Sequence, residues 1–200
     1  SLGLIDISVS SLKVDIIAFA GHKTLYGPLG IGGFINITGI SLTTFITGGT
    51  GSDSLNLDMP TGAESHYEAA SSNIVAIVGL NEALKTVDIE KSRMREQELT
   101  DILCKELSKN PRVKMFIPDR DNHTGIVSFV FDGMNSEDVG QILDEDFDIA
   151  VRTGYHCAPF IHKYLRDEAS LGTIRVGIGR YNVEEEINKL IAALGELADE

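Results

Sequence analysis

Two residues in this sequence stand where covalent chemistry is possible. Cys157 lies in Val151-Arg152-Thr153-Gly154-Tyr155-His156-Cys157-Ala158-Pro159, beside a histidine and five residues after an arginine. Cationic neighbours lower a thiol's pKa and raise its thiolate fraction, and the thiolate is the nucleophile. Most cysteines act only as small hydrophobes. Cys104 takes that reading, close to Leu103 and Leu107 in an amphipathic run with only Lys105 beside it. Lys23 is the second residue, in Gly21-His22-Lys23-Thr24-Leu25-Tyr26-Gly27-Pro28. It directly follows Val14–Ala20, which reads as a buried strand. Lysines avoid such places because desolvation is costly, and where they occur their pKa tends to fall. A neutral amine is what imine formation with a carbonyl requires.

These residues need elements to hold them. The second strand is expected over Gly30–Ile37, entered through a Tyr26-Gly27-Pro28 turn. Residues 38–66 are loop-rich and contain Gly48-Gly49-Thr50-Gly51-Ser52, by itself a weak phosphate signal and read as a structural loop, and Met59-Pro60-Thr61-Gly62. Ile74, Ile77, Val78, Leu80 and Leu84 mark a helix after Asn73. A charged helix follows from about residue 87, with Leu99, Leu103 and Leu107 at spacing four, and ends before Asn110-Pro111. Val113–Ile117, Gly125–Phe131, Ile149–Val151 and Thr173–Ile178 read as strands. Ser136 is expected to cap one helix, and Asn182 with Glu185 to cap the last. Alternating strands and helices make the class α/β or α+β, with a boundary near residue 88.

Bulk properties exclude several functions. A net charge of −13 over 200 residues argues against nucleic acid or an anionic membrane as partner. No apolar run approaches the roughly 20 residues of a membrane span. The first residues lack the basic and apolar regions of a signal peptide. Two cysteines outside any CxxC pair are expected to be reduced thiols in a cytoplasmic protein. His66, His123 and His162 show no metal-ligand spacing and are expected to be solvated or structural. The opening LGLIDISVSSL reads like the interior of a domain, so a fragment of a longer chain is expected.

The segment Asp15-Ile16-Ile17-Ala18-Phe19 with GHK and Leu25-Tyr26-Gly27-Pro28 resembles the lysine segment of class V aminotransferase-like pyridoxal-phosphate (PLP) enzymes, particularly cysteine desulfurases and selenocysteine lyases. The R-x-G-x-H-C-A pattern at Arg152–Ala158 resembles the catalytic-cysteine loop of a desulfurase subgroup. The resemblance spans essentially the whole chain. It implies a fold type I PLP enzyme, with residues 1–88 the end of the large PLP-binding domain and 89–200 the small C-terminal α/β domain. Lys23 would carry PLP as a Schiff base and move the α-proton, and His22 would bind the cofactor phosphate. Ser71 would reach the phosphate of a neighbouring subunit, so a homodimer is implied. Cys157 would accept sulfur from L-cysteine as a persulfide, leaving alanine, before passing it to a sulfur-acceptor protein. Arg175, in Gly172-Thr173-Ile174-Arg175-Val176, would clamp the substrate carboxylate, which a guanidinium can bind through two parallel hydrogen bonds. Arg152 would serve the substrate or its own loop.

Departures from the family pattern limit what the resemblance implies. Ala20 stands where a phosphate-binding hydroxyl is usual, and Ala70 and Ser71 replace a Gly-Thr pair. The family's PLP-stacking ring, its Asp on the pyridine nitrogen and its Gln near the phenolate oxygen come from upstream of the lysine. The Asp and Gln should lie just before Ser1, so the chain alone is expected to bind PLP poorly and be inactive. Selenocysteine lyase, another PLP reaction such as transamination or epimerisation, and a non-catalytic remnant are the competing readings.

Overall fold

In a computed structural model the structure describes residues 2–50, 53, 55–61, 66–117 and 123–199. Gly51 and Ser52 of the glycine-rich loop, and Gly62, lie outside them. The chain divides into two compact units, Ser1–Ile89 and Glu90–Glu200.

The first unit begins with a one-turn helix, α1 (Val9–Leu12), which the sequence reading did not foresee. Strand β1 (Ile16–Ala20) pairs antiparallel with β2 (Gly32–Asn36), Ile16 opposite Asn36 and Ala20 opposite Gly32. Helix α2 (Ile74–Leu84) starts where Asn73 accepts a hydrogen bond from the Ala76 N–H, a side-chain N-cap. One expectation fails: β1 is only half-buried in this chain, and Lys23 beyond it is exposed. No element among the described residues closes over both faces of the two-stranded ribbon, which cannot bury a strand by itself.

The second unit opens with α3 (Ile89–Leu107), whose Leu99, Leu103 and Leu107 are buried along one stripe. Strands β3 (Val113–Met115) and β4 (Ile126–Phe131) lead to helix α4 (Ser136–Glu145), then β5 (Arg152–Gly154) and the short helix α5 (His162–Leu165). A 3-10 turn at Glu168–Ser170 precedes β6 (Thr173–Gly177), and α6 (Glu184–Asp199) ends the unit. The four strands form an antiparallel sheet in the order β3-β4-β6-β5. Val127, Phe129 and Phe131 of β4 and Ile174 and Val176 of β6 join a core with Leu99, Leu103, Val139, Leu143, Leu190 and Leu194.

Three local expectations shift by one to three residues. The strand placed at Ile149–Val151 forms instead at Arg152–Gly154, because Ile149 N–H is spent on the Leu143 carbonyl at the end of α4. Asn135, not Ser136, caps α4 by accepting from the Asp138 N–H at 2.8 Å. At α6 it is Glu186, not Glu185, that reaches back, accepting from the Val183 N–H and the Asn182 side chain. The carboxylate therefore satisfies the helix start one residue later than the sequence suggested.

Candidate active site

In the first unit, Lys23 lies in a turn held by backbone contacts. Gly21 N–H donates to the Ile31 carbonyl, Gly27 N–H to the Gly21 carbonyl, and Tyr26 N–H to the Lys23 carbonyl. Gly27 cannot be larger, since a Cβ there would come within 2.8 Å of the Gly21 oxygen. The Thr24 hydroxyl donates to the Leu2 carbonyl at 2.6 Å, and the buried Leu25 anchors the turn beneath. The Lys23 amine is left exposed. His22 Nδ1 donates to the Ile31 carbonyl at 3.1 Å, so a phosphate contact would use Nε2. Ser71, also exposed, precedes α2, and no hydrogen bond joins it to His22 or Lys23 among the described residues. An exposed amine, an imidazole edge and a hydroxyl are a donor set that suits an aldehyde bearing a phosphate. To that extent the residues present fit PLP.

In the second unit the structure brings three expected site residues together. Arg152 on β5 and Arg175 on β6 are direct cross-strand partners, and Ser128 of β4 faces Arg175 from the other side. Side chains alternate along a strand, so this row points away from the core-facing Ile174 and Val176. Like charges directly opposite on a sheet are destabilising. Two arginines so placed suit an anionic group bound between or above them. Arg152 Nη2 also donates to Cys157 Sγ at 3.1 Å. The thiol of the R-x-G-x-H-C-A segment is thus exposed and within hydrogen-bond reach of the arginine five residues before it.

The Cys157 loop has an unusual backbone. His156 and Cys157 are consecutive non-glycine residues at φ 52° and 61°. Left-handed conformations cost L-residues on the order of 1–2 kcal/mol each and persist where surrounding contacts over-determine them. Those contacts are visible. Gly172, at φ 98°, packs so closely on Gly154 that a Cβ would meet its carbonyl at 2.5 Å. Ser136, buried at the start of α4, accepts from the Gly154 N–H and donates to the Leu171 carbonyl. His156 Nε2 donates to the Thr173 carbonyl at 3.0 Å and lies 2.7 Å from its hydroxyl. Burial first, then the nearby Arg175, pushes the His156 pKa below the ordinary histidine value, outweighing the Thr173 bond that raises it. A neutral ring donating through Nε2 carries its lone pair on Nδ1, which is buried without a partner.

Sequence reasoning gave Ser136, Thr173, His162 and Asp167 no part in holding the Cys157 loop. The first two are ordinary small polar residues whose roles depend on packing. Of the two readings for His162, solvated or structural, the second holds: it is buried and hydrogen-bonded to Asp167 at 2.5 Å. His66 is also tied down, to the Thr44 hydroxyl and the Pro60 carbonyl. Cys104 packs half-buried against the core, as its helical spacing suggested. Among the described residues no group of three or more His, Cys, Asp or Glu could hold a metal ion. No helix there is long and apolar enough to cross a membrane.

Comparison with known proteins places this geometry in a family. The pattern described as "Aminotransferase class-V" matches residues 1–190. A "Probable cysteine desulfurase 2" of Mycobacterium leprae is 32% identical over 196 residues, covering 94% of this chain and 46% of that protein. A "Probable cysteine desulfurase" of Methanothermobacter thermautotrophicus is 32% identical over 209 residues, covering 99% of this chain and 51% of its own length. The solved apo structure of a cysteine desulfurase from Thermococcus onnurineus NA1 superposes with a TM-score of 0.86 at 30% identity, covering all of this chain and 50% of that one. The chain thus spans about half the length of the relatives it matches. With the α/β architecture of a fold type I PLP enzyme, the chain belongs to the class-V aminotransferase family, among relatives named cysteine desulfurases.

Proposed function

We propose that this chain carries the lysine half and the thiol half of a PLP-dependent cysteine desulfurase. The observation that carries the reading is the Arg152–Cys157 hydrogen bond beside the Arg152–Arg175 cross-strand pair. A thiol beside a cross-strand pair of guanidiniums matches a substrate that bears both a sulfur and a carboxylate. Names of relatives support the same choice.

Arg175 holds the substrate carboxylate, using the two parallel donors a guanidinium offers. PLP, bound through Lys23, supplies the electron sink for the substrate α-carbon. Lys23 moves the α-proton, and His22 and Ser71 hold the phosphate, Ser71 in a neighbouring subunit of a homodimer. Cys157 Sγ forms a bond to the substrate sulfur while the substrate's carbon–sulfur bond breaks. The electron pair of that bond stays with carbon and takes up a proton, giving alanine. The sulfur remains on Cys157 as a persulfide until an acceptor protein's thiol takes it.

Two variants of the full-length protein test this. Cys157→Ala should abolish alanine formation from cysteine, a loss of at least about 100-fold, while keeping the yellow PLP chromophore. Lys23→Ala should lose both. Retained alanine production in Cys157→Ala would falsify the persulfide route.

A further inference from the structure

His162 and Asp167 form a buried pair that none of the proposed chemistry uses. His162 is 5% exposed and Asp167 2%, with Nδ1 and Oδ2 2.5 Å apart. The other ring nitrogen, Nε2, lies 3.2 Å from the Tyr155 carbonyl. The ring thus stands between a carboxyl and a backbone carbonyl, with a hydrogen-bond partner at each nitrogen. Tyr155 also packs its ring edge-on against His162, centroids 5.0 Å apart.

Stability does not explain this pair. Asp167 Oδ1 is buried with no hydrogen-bond partner. A buried polar pair with an unsatisfied oxygen is commonly no more stable than an apolar replacement of similar volume. What the pair does is geometric. Tyr155 begins the loop that carries Cys157, and His162 begins the helix that ends it. Their hydrogen bond closes the loop on itself across seven positions. The Tyr155 carbonyl also accepts from Ala158 N–H, directly after the cysteine, so His162 fixes the acceptor of the turn that contains Cys157. Asp167 is tied in turn to the far wall, its carbonyl accepting from Gly172 N–H, and Gly172 abuts Gly154.

We propose that the His162–Asp167 pair is a positioning element for Cys157: it locks the left-handed turn that keeps Sγ at Arg152. The proposal rests on the reading of Cys157 as the sulfur nucleophile. Asp167 orients the ring, and the ring holds the Tyr155 carbonyl. Neither side chain is placed against substrate.

The test uses the full-length holoenzyme with His162→Ala, His162→Gln and Asp167→Asn. The first readout is alkylation of Cys157 by iodoacetamide, with half-buried Cys104 as internal reference. It needs neither substrate nor turnover. Without the clamp, Sγ loses its charged donor, and alkylation should slow about fivefold in His162→Ala. His162→Gln, whose amide can still donate to a carbonyl, should recover part of that loss, and Asp167→Asn should fall between the two. The second readout is desulfuration: kcat should drop about tenfold from misplacement of the nucleophile. KM, governed by Arg175, should stay within about twofold, since binding is not touched. If the variants melt at lower temperature but alkylate and turn over like the parent below melting, the pair is merely structural and the proposal fails. If His162→Ala does not fold, the two conservative variants decide it. If the parent makes no alanine from cysteine, the desulfurase reading fails, while the alkylation arm still judges the clamp.

Discussion

The two units of this chain bury their apolar residues very differently. In the second, Leu99, Phe129, Phe131, Val139 and Ile174 have no exposed surface. In the first, only Leu25, Met59 and Ala76 are buried hydrophobics among the described residues, while Phe45, Leu55 and Leu57 are 96–99% exposed. One unit closes a core between a four-stranded sheet and its helices. The other offers a two-stranded ribbon and a helix with exposed Ile74, Val75 and Val78. Monomeric proteins rarely leave so much apolar surface uncovered. The second unit thus has the closed core an autonomous domain requires, and the described residues of the first do not form one. The two candidate residues are divided along the same line, with Lys23 in the open unit and Cys157 in the closed one.

The sharpest way to break that comparison is to separate the units. Residues 90–200 expressed alone should give a cooperative two-state thermal transition, and residues 1–89 alone none. A cooperative melt from the first piece, followed by circular dichroism, would show that its ribbon and loops suffice. A smaller effect comes from matched truncations in the whole chain. Phe129→Ala should cost about 3–5 kcal/mol in denaturant unfolding, because it opens a cavity in a closed core. Phe45→Ala should change stability by less than about 0.5 kcal/mol. Equal losses at the two sites would mean that Phe45 is covered in solution.

The smallest expected effect belongs to the Cys157 loop, where the fold favours neutral His156. A depressed folded pKa places this contribution fully above the ring's ordinary value of about 6.5. It is lost as pH falls below that value and through the lowered one. Denaturation midpoints of the second unit should therefore decline on mild acidification, and less so in His156→Asn. An identical decline in the variant would assign the pH dependence to other groups.

Much of the second unit was legible in the sequence because its signals are local. Leucines at spacing four specify the buried stripe of α3, and alternating apolar residues specify β4 and β6. Cap positions were displaced by one residue because neighbouring side chains of similar chemistry, Asn135 beside Ser136 and Glu186 beside Glu185, compete for the same N–H groups. Strand β5 moved because hydrogen bonding at the end of α4 consumed the residue expected to begin it.

Residue type and spacing made Lys23 and Cys157 candidates, an amine after an apolar strand and a thiol amid cations, and the resemblance of their two segments to a known family pointed to their roles. Only the tertiary structure decided that Arg152 and Arg175 stand opposite each other, because their pairing is a matter of strand register between segments on either side of the Cys157 loop. It alone placed Arg152 on Cys157 Sγ and buried His162 on Asp167 beneath the loop. Histidine and aspartate five residues apart carry no periodic signal. They meet because a one-turn helix and a left-handed Arg166 fold the chain back on itself.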